Sequence, residues 1–331
     1  VNAVRQGVKN SAGFKAVQHI LKVKEMGILG PLIIICIIAE VSNPVFLGPS
    51  NIIDLLRSIS FTCIVAVGAT FILIGGGLDL SVGSVIGLSG MIVGGCLVAG
   101  IPIIPSILIS LFVGAVIGFI NGFIVVKFHI PPMIVTLGMM YIARGIVYVI
   151  SKGRSFSPFP DAFNQLGQGT LLGVPYSVYI AFVVLLIGYF LLNHTTFGRS
   201  IYAVGGNEEA ARVSGINIGK VKILTYCITS FLCGMTGILM AARLSSAQAN
   251  AGTGWEMTII AAVIIGGTSM FGGSGSVIGS LIGASIMTVL TNAMVLMNVS
   301  IYWQNIVVGA IIIFAVGVDT YRRNKLFGSR C

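Results

Sequence analysis

The chain has nine carboxylates: Glu25, Glu40, Asp54, Asp79, Asp161, Glu208, Glu209, Glu256 and Asp319. Most lie at the ends of apolar runs or between them. An ionised carboxylate at the centre of a bilayer costs about 2.5 to 3.5 kcal/mol on insertion scales, so proton- and ion-coupled carriers keep a few there for a reason. This sequence places almost none there, which argues against secondary transport and for a machine driven from elsewhere. Asp79 and Ser81 sit in Gly75-Gly76-Gly77-Leu78-Asp79-Leu80-Ser81-Val82-Gly83-Ser84, where glycines between two apolar runs interrupt a helix. Irregular backbone at membrane depth survives only where protein or a water-filled cavity satisfies it. Asp79 and Ser81 are therefore a pathway or gate element, or one of them caps the helix that follows; capping needs fewer assumptions.

Asn207-Glu208-Glu209-Ala210-Ala211-Arg212 reads as the start of a two-turn helix. Asn207 is a suitable cap, the two acids suit the positive end of the helix, and Gly215 is placed to end it. So short a helix is marginal in water and needs a surface to lie on. It is either a lever gripped by a partner or a helix resting on its own membrane domain, and the residues alone leave both open. The segment Arg243 to Glu256 carries Ser245, Ser246, Gln248, Asn250, Thr253 and Trp255, side chains suited to bonding and stacking a polyol and equally to any wet loop. Gln248, Asn250, Trp255 and Glu256 are its candidates for a translocation path. Arg57, Lys152, Arg154 and Arg243 make one face basic, which would steer an acidic soluble partner or simply solvate the surface. Arg144 lies inside an apolar run, so it should face the bundle interior or reach outward to water.

Other chemistries find no support. His19, His129 and His194 are far apart with no Cys or carboxylate at ligand spacing, so no metal is expected. Cys36, Cys63, Cys96, Cys227 and Cys233 lie in apolar stretches, Cys331 ends the sequence, and no CxxC pair occurs. Gly272-Gly273-Ser274-Gly275-Ser276 is Gly-rich but lacks the lysine of a phosphate-binding loop, so ATP, if it powers the chain, is hydrolysed by another subunit. No nucleophile, base and orienting group form a defensible set, which makes a membrane enzyme a weak reading.

These residues must be positioned by lipid-embedded helices. The sequence is 56% hydrophobic and 8% charged, against about a quarter charged in a soluble domain. Its net charge of +10 comes from short cationic segments between apolar runs rather than one face, so topology explains it and nucleic acid does not. A span needs about 20 apolar residues. Ten candidates run over Gly27 to Val41, Ile59 to Gly76, Val82 to Ala99, Ile103 to Val126, Met133 to Ile150, Tyr176 to Leu192, Val221 to Ala242, Met257 to Gly267, Ser276 to Met297 and Ile301 to Val318. The Met257 to Gly267 run is too short alone; it recruits flanking residues or is broken by the Gly-rich stretch after it. With the N-terminus inside, Arg5, Lys9, Lys15, Lys22, Lys24, Lys127, Arg199, Arg212, Lys220, Lys222, Arg322, Arg323, Lys325 and Arg330 fall on the inner side. Only Arg57, Lys152, Arg154 and Arg243 fall outside, an excess that places both termini in the cytoplasm and requires an even number of spans. The long polar leader and the lack of a small-residue cleavage site argue against a signal peptide.

The expected architecture is all-α: a basic segment over 1–26, a transmembrane domain of about ten helices over 27–320, and a basic tail over 321–331. Asn51 to Ile59, with Asp54 and Arg57 three apart, is either a short interfacial helix or the polar start of the second span. Gly83-Ser84-Val85-Ile86-Gly87 recurs as Gly275-Ser276-Val277-Ile278-Gly279. Both copies start on the inner side, which fits close packing through small residues better than an inverted repeat.

Over about residues 27 to 320 the chain resembles the permease family of ribose-type ATP-binding-cassette importers. The shared words are Gly75 to Ser84, Gly198-Arg199, Gly205 to Arg212 with Ser214 to Asn217, Ala242 to Gln248, Gly252 to Glu256, and Ala261 to Ser269. The resemblance implies a bacterial cell-membrane protein acting as two permease copies with a cytoplasmic ATPase and an extracytoplasmic sugar-binding protein. It makes the helix at Glu208 the ATPase-coupling element. Thr258 stands where relatives often carry Asp, Thr291 precedes Asn292 where two Asn are common, and Trp255 replaces the usual Tyr. Those departures leave the sugar open, with autoinducer-2, a nucleoside or another sugar as alternatives.

Overall fold

The structure, a computed structural model, describes residues 26–327, and side chains between 29 and 321. The expected basic leader and tail, with Arg5, Lys9, Lys15, Lys22, Lys24, Arg322, Arg323, Lys325 and Arg330, lie outside the described side chains. Among the described residues the chain is all-α but for one small hairpin. In order come α1 (Met26–Ser42), α2 (Pro49–Ile74), α3 (Val82–Val98), α4 (Ile103–Phe128), α5 (Pro132–Ser151) and α6 (Asp161–Gln168). The hairpin β1 (Thr170–Leu171) and β2 (Val174–Pro175) precedes α7 (Tyr176–His194), α8 (Thr196–Gly206) and α9 (Glu208–Val213). The chain continues through α10 (Ile218–Leu244), α11 (Trp255–Ile265), α12 (Val277–Leu296) and α13 (Ile301–Phe327).

Each of the ten apolar runs is a helix. Seven of them, α2, α4, α5, α7, α10, α12 and α13, are long and apolar enough to cross a bilayer, while α1, α3 and α11 are shorter apolar helices. Starts follow local chemistry. Pro49 and Pro132 open α2 and α5, where a missing N–H costs nothing. Thr195, Asn207, Asn217 and Ser276 cap α8, α9, α10 and α12 by accepting from the N–H of Gly198, Ala210, Lys220 and Gly279.

Burial shows what solvent the fold expects. From Ser60 to Ile74, α2 is buried on every side, as in a helix at the centre of a bundle. It packs with α10, which also lies along α3 and α4, and with α12. By contrast α4, α5, α7 and α13 present Phe112, Ile104, Tyr141, Val149, Phe190 and Phe314 outward. Apolar surface on that scale calls for lipid. Hydroxyls and amides join α2 to α12 along their length: Thr70 to Ser280 at 2.6 Å, Thr288 to Thr62 at 3.2 Å, and a reciprocal Asn51–Asn292 amide pair at 3.1 and 2.9 Å.

Two open alternatives are decided and one loop is extended. Asn51 to Ile59 is not a separate interfacial helix, because α2 runs unbroken from Pro49 and its polar first turns carry the 3.3 Å Asp54–Arg57 pair. The apolar run from Met257 gains only Trp255 and Glu256 and is broken by the glycines after it, as the second alternative had it: α11 has 11 residues and stops at Gly266, just before Gly267 takes φ 88°. The loop from Asn193 to Lys220 holds an additional helix, α8, ahead of the foreseen α9.

Candidate functional site

At one end of the bundle, α9 projects as a charged handle. Asn207 Oδ1 accepts from Ala210 N at 3.0 Å, and Gly215 closes the helix with φ 81°, a left-handed turn that suits glycine. Ala211 is buried and docks the helix, and Lys222 Nζ meets Glu208 Oε2 at 2.7 Å, tying α9 to α10. The opposite side of α9 is open. The side chains of Glu209 and Arg212 are 77% and 61% exposed and 3.8 Å apart. Val213 is 87% exposed beside them, a bare apolar residue on a charged tip.

Through α8 this handle reaches two interruptions in the bundle. Gly205 lies against the Ile74 carbonyl and against Gly273, whose N–H donates to that same carbonyl at 2.8 Å; a side chain at Gly205 would collide with Ile74. Tyr202, also on α8, donates its hydroxyl to the Gly275 carbonyl at 2.8 Å, and burial pushes this phenol up, so it stays a neutral donor. The stretch before α12 is further held by Asp319, which accepts from Ser269 Oγ at 3.1 Å and Met270 N at 3.2 Å. Three backbone segments thus meet at one joint: the end of α2, the end of α8, and the turn between α11 and α12.

Above the joint the break between α2 and α3 is satisfied by protein. Asp79 Oδ1 accepts from Ser81 N at 2.8 Å and from Ser81 Oγ at 2.6 Å, and Asn121 donates to Ser81 Oγ at 3.1 Å. Tyr226 donates to the Leu78 carbonyl at 3.1 Å, and Thr136 accepts from Leu80 N at 3.1 Å. Asp79 and Ser81 are buried. Ser81 stands at the start of α3 but makes no side-chain cap; the turn is closed by Asp79.

The segment between α10 and α11 is a third interruption. Ser245 ends α10 with φ 49°, and Ala247 exchanges both backbone bonds with Phe156 at 3.0 Å. The chain then passes down α3, with Ala247 beside Gly94, Ala251 beside Gly87 and Gly252 against Gly83. The eleven steps from Gly94 to Gly83 correspond to about 16 Å of descent. Arg144 fixes the segment, donating Nη1 to the carbonyls of Ala249 at 3.0 Å and Ala251 at 2.9 Å. It faces the interior and serves backbone. The segment is a run of turns along α3, with Ala247, Ala249 and Gly252 buried and Asn250 and Thr253 exposed, and its end starts the half-length helix α11 beside Gly83.

On the bundle face away from α9, four helices stand apart around a cavity of about 400 Å³. Ser58, Phe61 and Thr62 of α2, Met240, Arg243 and Leu244 of α10, and Thr288, Thr291, Asn292 and Val295 of α12 form its walls; Trp255, Thr258 and Ile259 of α11 form its floor. Arg243 and Arg57 share Asp54, at 3.2 and 3.3 Å, and Arg57 also donates to the Gln168 carbonyl at 2.6 Å.

Residues 51–316 match the family described as "Branched-chain amino acid transport system / permease component". The chain belongs to this permease family. The permease is 41% identical over 298 residues to the ribose import permease protein RbsC of Haemophilus influenzae, covering 89% of this chain and 92% of that protein. It is 40% identical over 299 residues to RbsC of Bacillus subtilis, covering 88% and 92%. The L-arabinose ABC transporter permease protein AraH of Azospirillum brasilense is 33% identical over 303 residues, covering 92% and 89%. No solved structure matches the permease.

The sequence candidates fall into separate places. Asn207, Glu208, Glu209, Ala210, Ala211, Arg212 and Gly215 form the handle together. Trp255 and Arg243 meet at the cavity, whereas Gln248 and Asn250 do not line it and Asp79 and Ser81 are packed at the α2–α3 break. Glu256 lies against Gly83. Arg154 is exposed and outside the Arg57–Asp54–Arg243 cluster. Sequence reading missed Val213, Tyr202 and the wall residues Thr62, Thr288 and Thr291. A threonine in a membrane helix looks the same whether it faces a neighbouring helix or a cavity.

Proposed function

We propose that this chain is the membrane-spanning permease subunit of an ATP-driven importer for ribose or a similar monosaccharide. Its likeness to ribose import permeases, at 40 to 41% identity over about nine-tenths of both chains, carries the reading. A second permease copy, a cytoplasmic ATPase and an extracytoplasmic sugar-binding protein complete the machine. In this reading the α9 face is cytoplasmic, both termini lie there, and the helices make ten passes or half-passes of the bacterial cell membrane.

Each step has a physical basis in the chain. The exposed Glu209, Arg212 and Val213 offer an ATPase a small mixed surface. Because α9 is tied by Glu208 to α10 and continues from α8, movement of the handle is passed to the joint at Ile74, Gly205 and Gly273. That joint lies at the ends of the two interruptions, where the bundle gives most readily. Sugar delivered to the opposite face, guided by the exposed Arg154 and by the separate Arg57 and Arg243 cluster, enters near Trp255. Gln248, Asn250 and Glu256 lie on the turn segment between α10 and α11 on the path inward, with Asp79 and Ser81 at its hinge.

Relatives named for L-arabinose and xylose, at 33 and 32% identity, support a second reading in which another pentose is carried. Assembling the permease with candidate ATPase and binding proteins, and measuring sugar-stimulated ATP hydrolysis across a panel of sugars, separates the two. The proposal expects the largest stimulation with ribose. Stimulation by no monosaccharide would overturn it.

A further inference from the structure

We propose that the cavity between α2, α10, α11 and α12 is a binding site for one neutral monosaccharide within a single permease chain, a place where sugar rests with measurable affinity. The inference rests on the importer reading and adds to it a defined ligand site.

The lining is chemically divided. On the walls each hydroxyl has already given its proton away: Ser58 to the Asp54 carbonyl at 2.8 Å, Thr62 to Ser58 O at 3.0 Å, Thr291 to Met287 O at 2.9 Å, and Thr288 to Thr62 Oγ1 at 3.2 Å. A hydroxyl has one proton and two lone pairs, so these oxygens face the cavity as acceptors. On the floor the Trp255 indole N–H and the Thr258 hydroxyl have no partner among the described residues, which leaves two donors. Phe61, Ile259, Met240, Leu244 and Val295 supply apolar surface between them. A sugar has that same composition: hydroxyls that both donate and accept, and C–H faces that stack on an indole.

Charge narrows the class. No carboxylate lines the cavity, which disfavours amines and metal cations. Its one charged side chain, Arg243, gives Nη2 to Asp54 at 3.2 Å and Nη1 to Ser58 Oγ at 3.2 Å, so both ends of the guanidinium are engaged by the wall, although Asp54, shared with Arg57, offsets only one of the two positive charges. The volume lies within the range of about 300 to 1,000 Å³ common for small-molecule sites. The alternative occupant, a lipid or detergent chain, would leave both floor donors unpaired.

The chain contains two tryptophans, so Trp303→Phe, at an exposed position on α13, leaves Trp255 as the sole reporter. In lipid nanodiscs this full-length variant is titrated with D-ribose and, separately, with a short-chain alkanol. The site predicts a saturable change in Trp255 emission with ribose. Thr258→Val and Thr288→Val should each weaken apparent affinity about two- to tenfold, the range for one lost hydrogen bond, while Thr258→Ser restores it; unchanged thermal unfolding confirms intact protein, and Thr291→Val replaces any variant that unfolds. A response to alkanol but not to ribose, no saturable response, or a ribose response indifferent to the valine variants would overturn the site. Sugar uptake by the assembled importer, measured in parallel, distinguishes the failures: uptake without binding removes this site alone, and absence of any uptake removes the importer reading as well.

Discussion

At the α8 end of the bundle three backbone segments touch without intervening side chains, whereas at the other end four helices stand apart around about 400 Å³. The first region is glycine against carbonyl; the second is threonine, serine, asparagine and tryptophan facing open space. A joint with no side chains has few relaxed alternatives, so displacement of one segment must displace the others. A hydroxyl-lined space has many, and can admit a solute without repacking. In the proposed reading motion and solute are handled at opposite ends, joined by α2, α10 and the half-length α11.

The sharpest way to break this contrast is to fill the joint. Gly205→Val places a branched side chain where the Ile74 carbonyl and Gly273 already sit. Overpacking of this kind costs about 1 to 3 kcal/mol, and we expect sugar-stimulated ATP hydrolysis in the assembled importer to be lost. Normal coupling in this variant would show that the joint transmits nothing. A second test loosens the turn segment between α10 and α11. Arg144→Met leaves the Ala249 and Ala251 carbonyls without their buried donor, at a cost of about 2 to 4 kcal/mol. Thermal unfolding should fall accordingly, and Trp255 should become more accessible to a collisional quencher; unchanged values would mean that the segment holds itself.

Glu209→Lys addresses the handle alone. The side chain is 77% exposed and its pairing with Arg212 is loose at 3.8 Å, so stability should change by less than about 1 kcal/mol. Sugar-dependent hydrolysis should fall about tenfold or the ATPase should fail to co-purify, and full coupling would count against the lever. The smallest effect is expected from Asp79→Asn. The substitution keeps an oxygen for the Ser81 bonds and alters only the second oxygen, which has no partner among the described residues. Uptake should fall less than threefold, as expected for a change of under about 0.6 kcal/mol; complete loss of uptake with normal assembly would make Asp79 a pathway residue.

How much of this was legible in the sequence depended on the range of the interaction. The helix at Glu208 was read correctly from Asn207 to Gly215, because capping, first-turn acids and a terminal glycine all act within a few residues. The ten apolar runs emerged as helices because backbone in lipid must bond within its own segment, although α1, α3 and α11 fall short of the spanning length. Contacts between distant segments were not legible. Nothing near Gly205 announces Ile74 or Gly273, and nothing near Arg144 names Ala249. The segment after α10 read as either a polyol-binding stretch or a wet loop because Gln248 and Asn250 are polar, yet the alternating small residues Ala247, Ala249 and Ala251 are what allow it to lie along α3. Arg57 and Arg243 read as free surface cations because Asp54 lies far from Arg243 in the chain, although in space it answers both.

The central claim is that the chain is a passive conduit moved through its cytoplasmic handle by a separate motor. It is tested most directly by accumulation of labelled ribose in proteoliposomes holding the permease, with ATPase, ATP and binding protein added singly and together. Uptake against a gradient only when all are present is the result predicted here. Uphill uptake by the permease alone would contradict it.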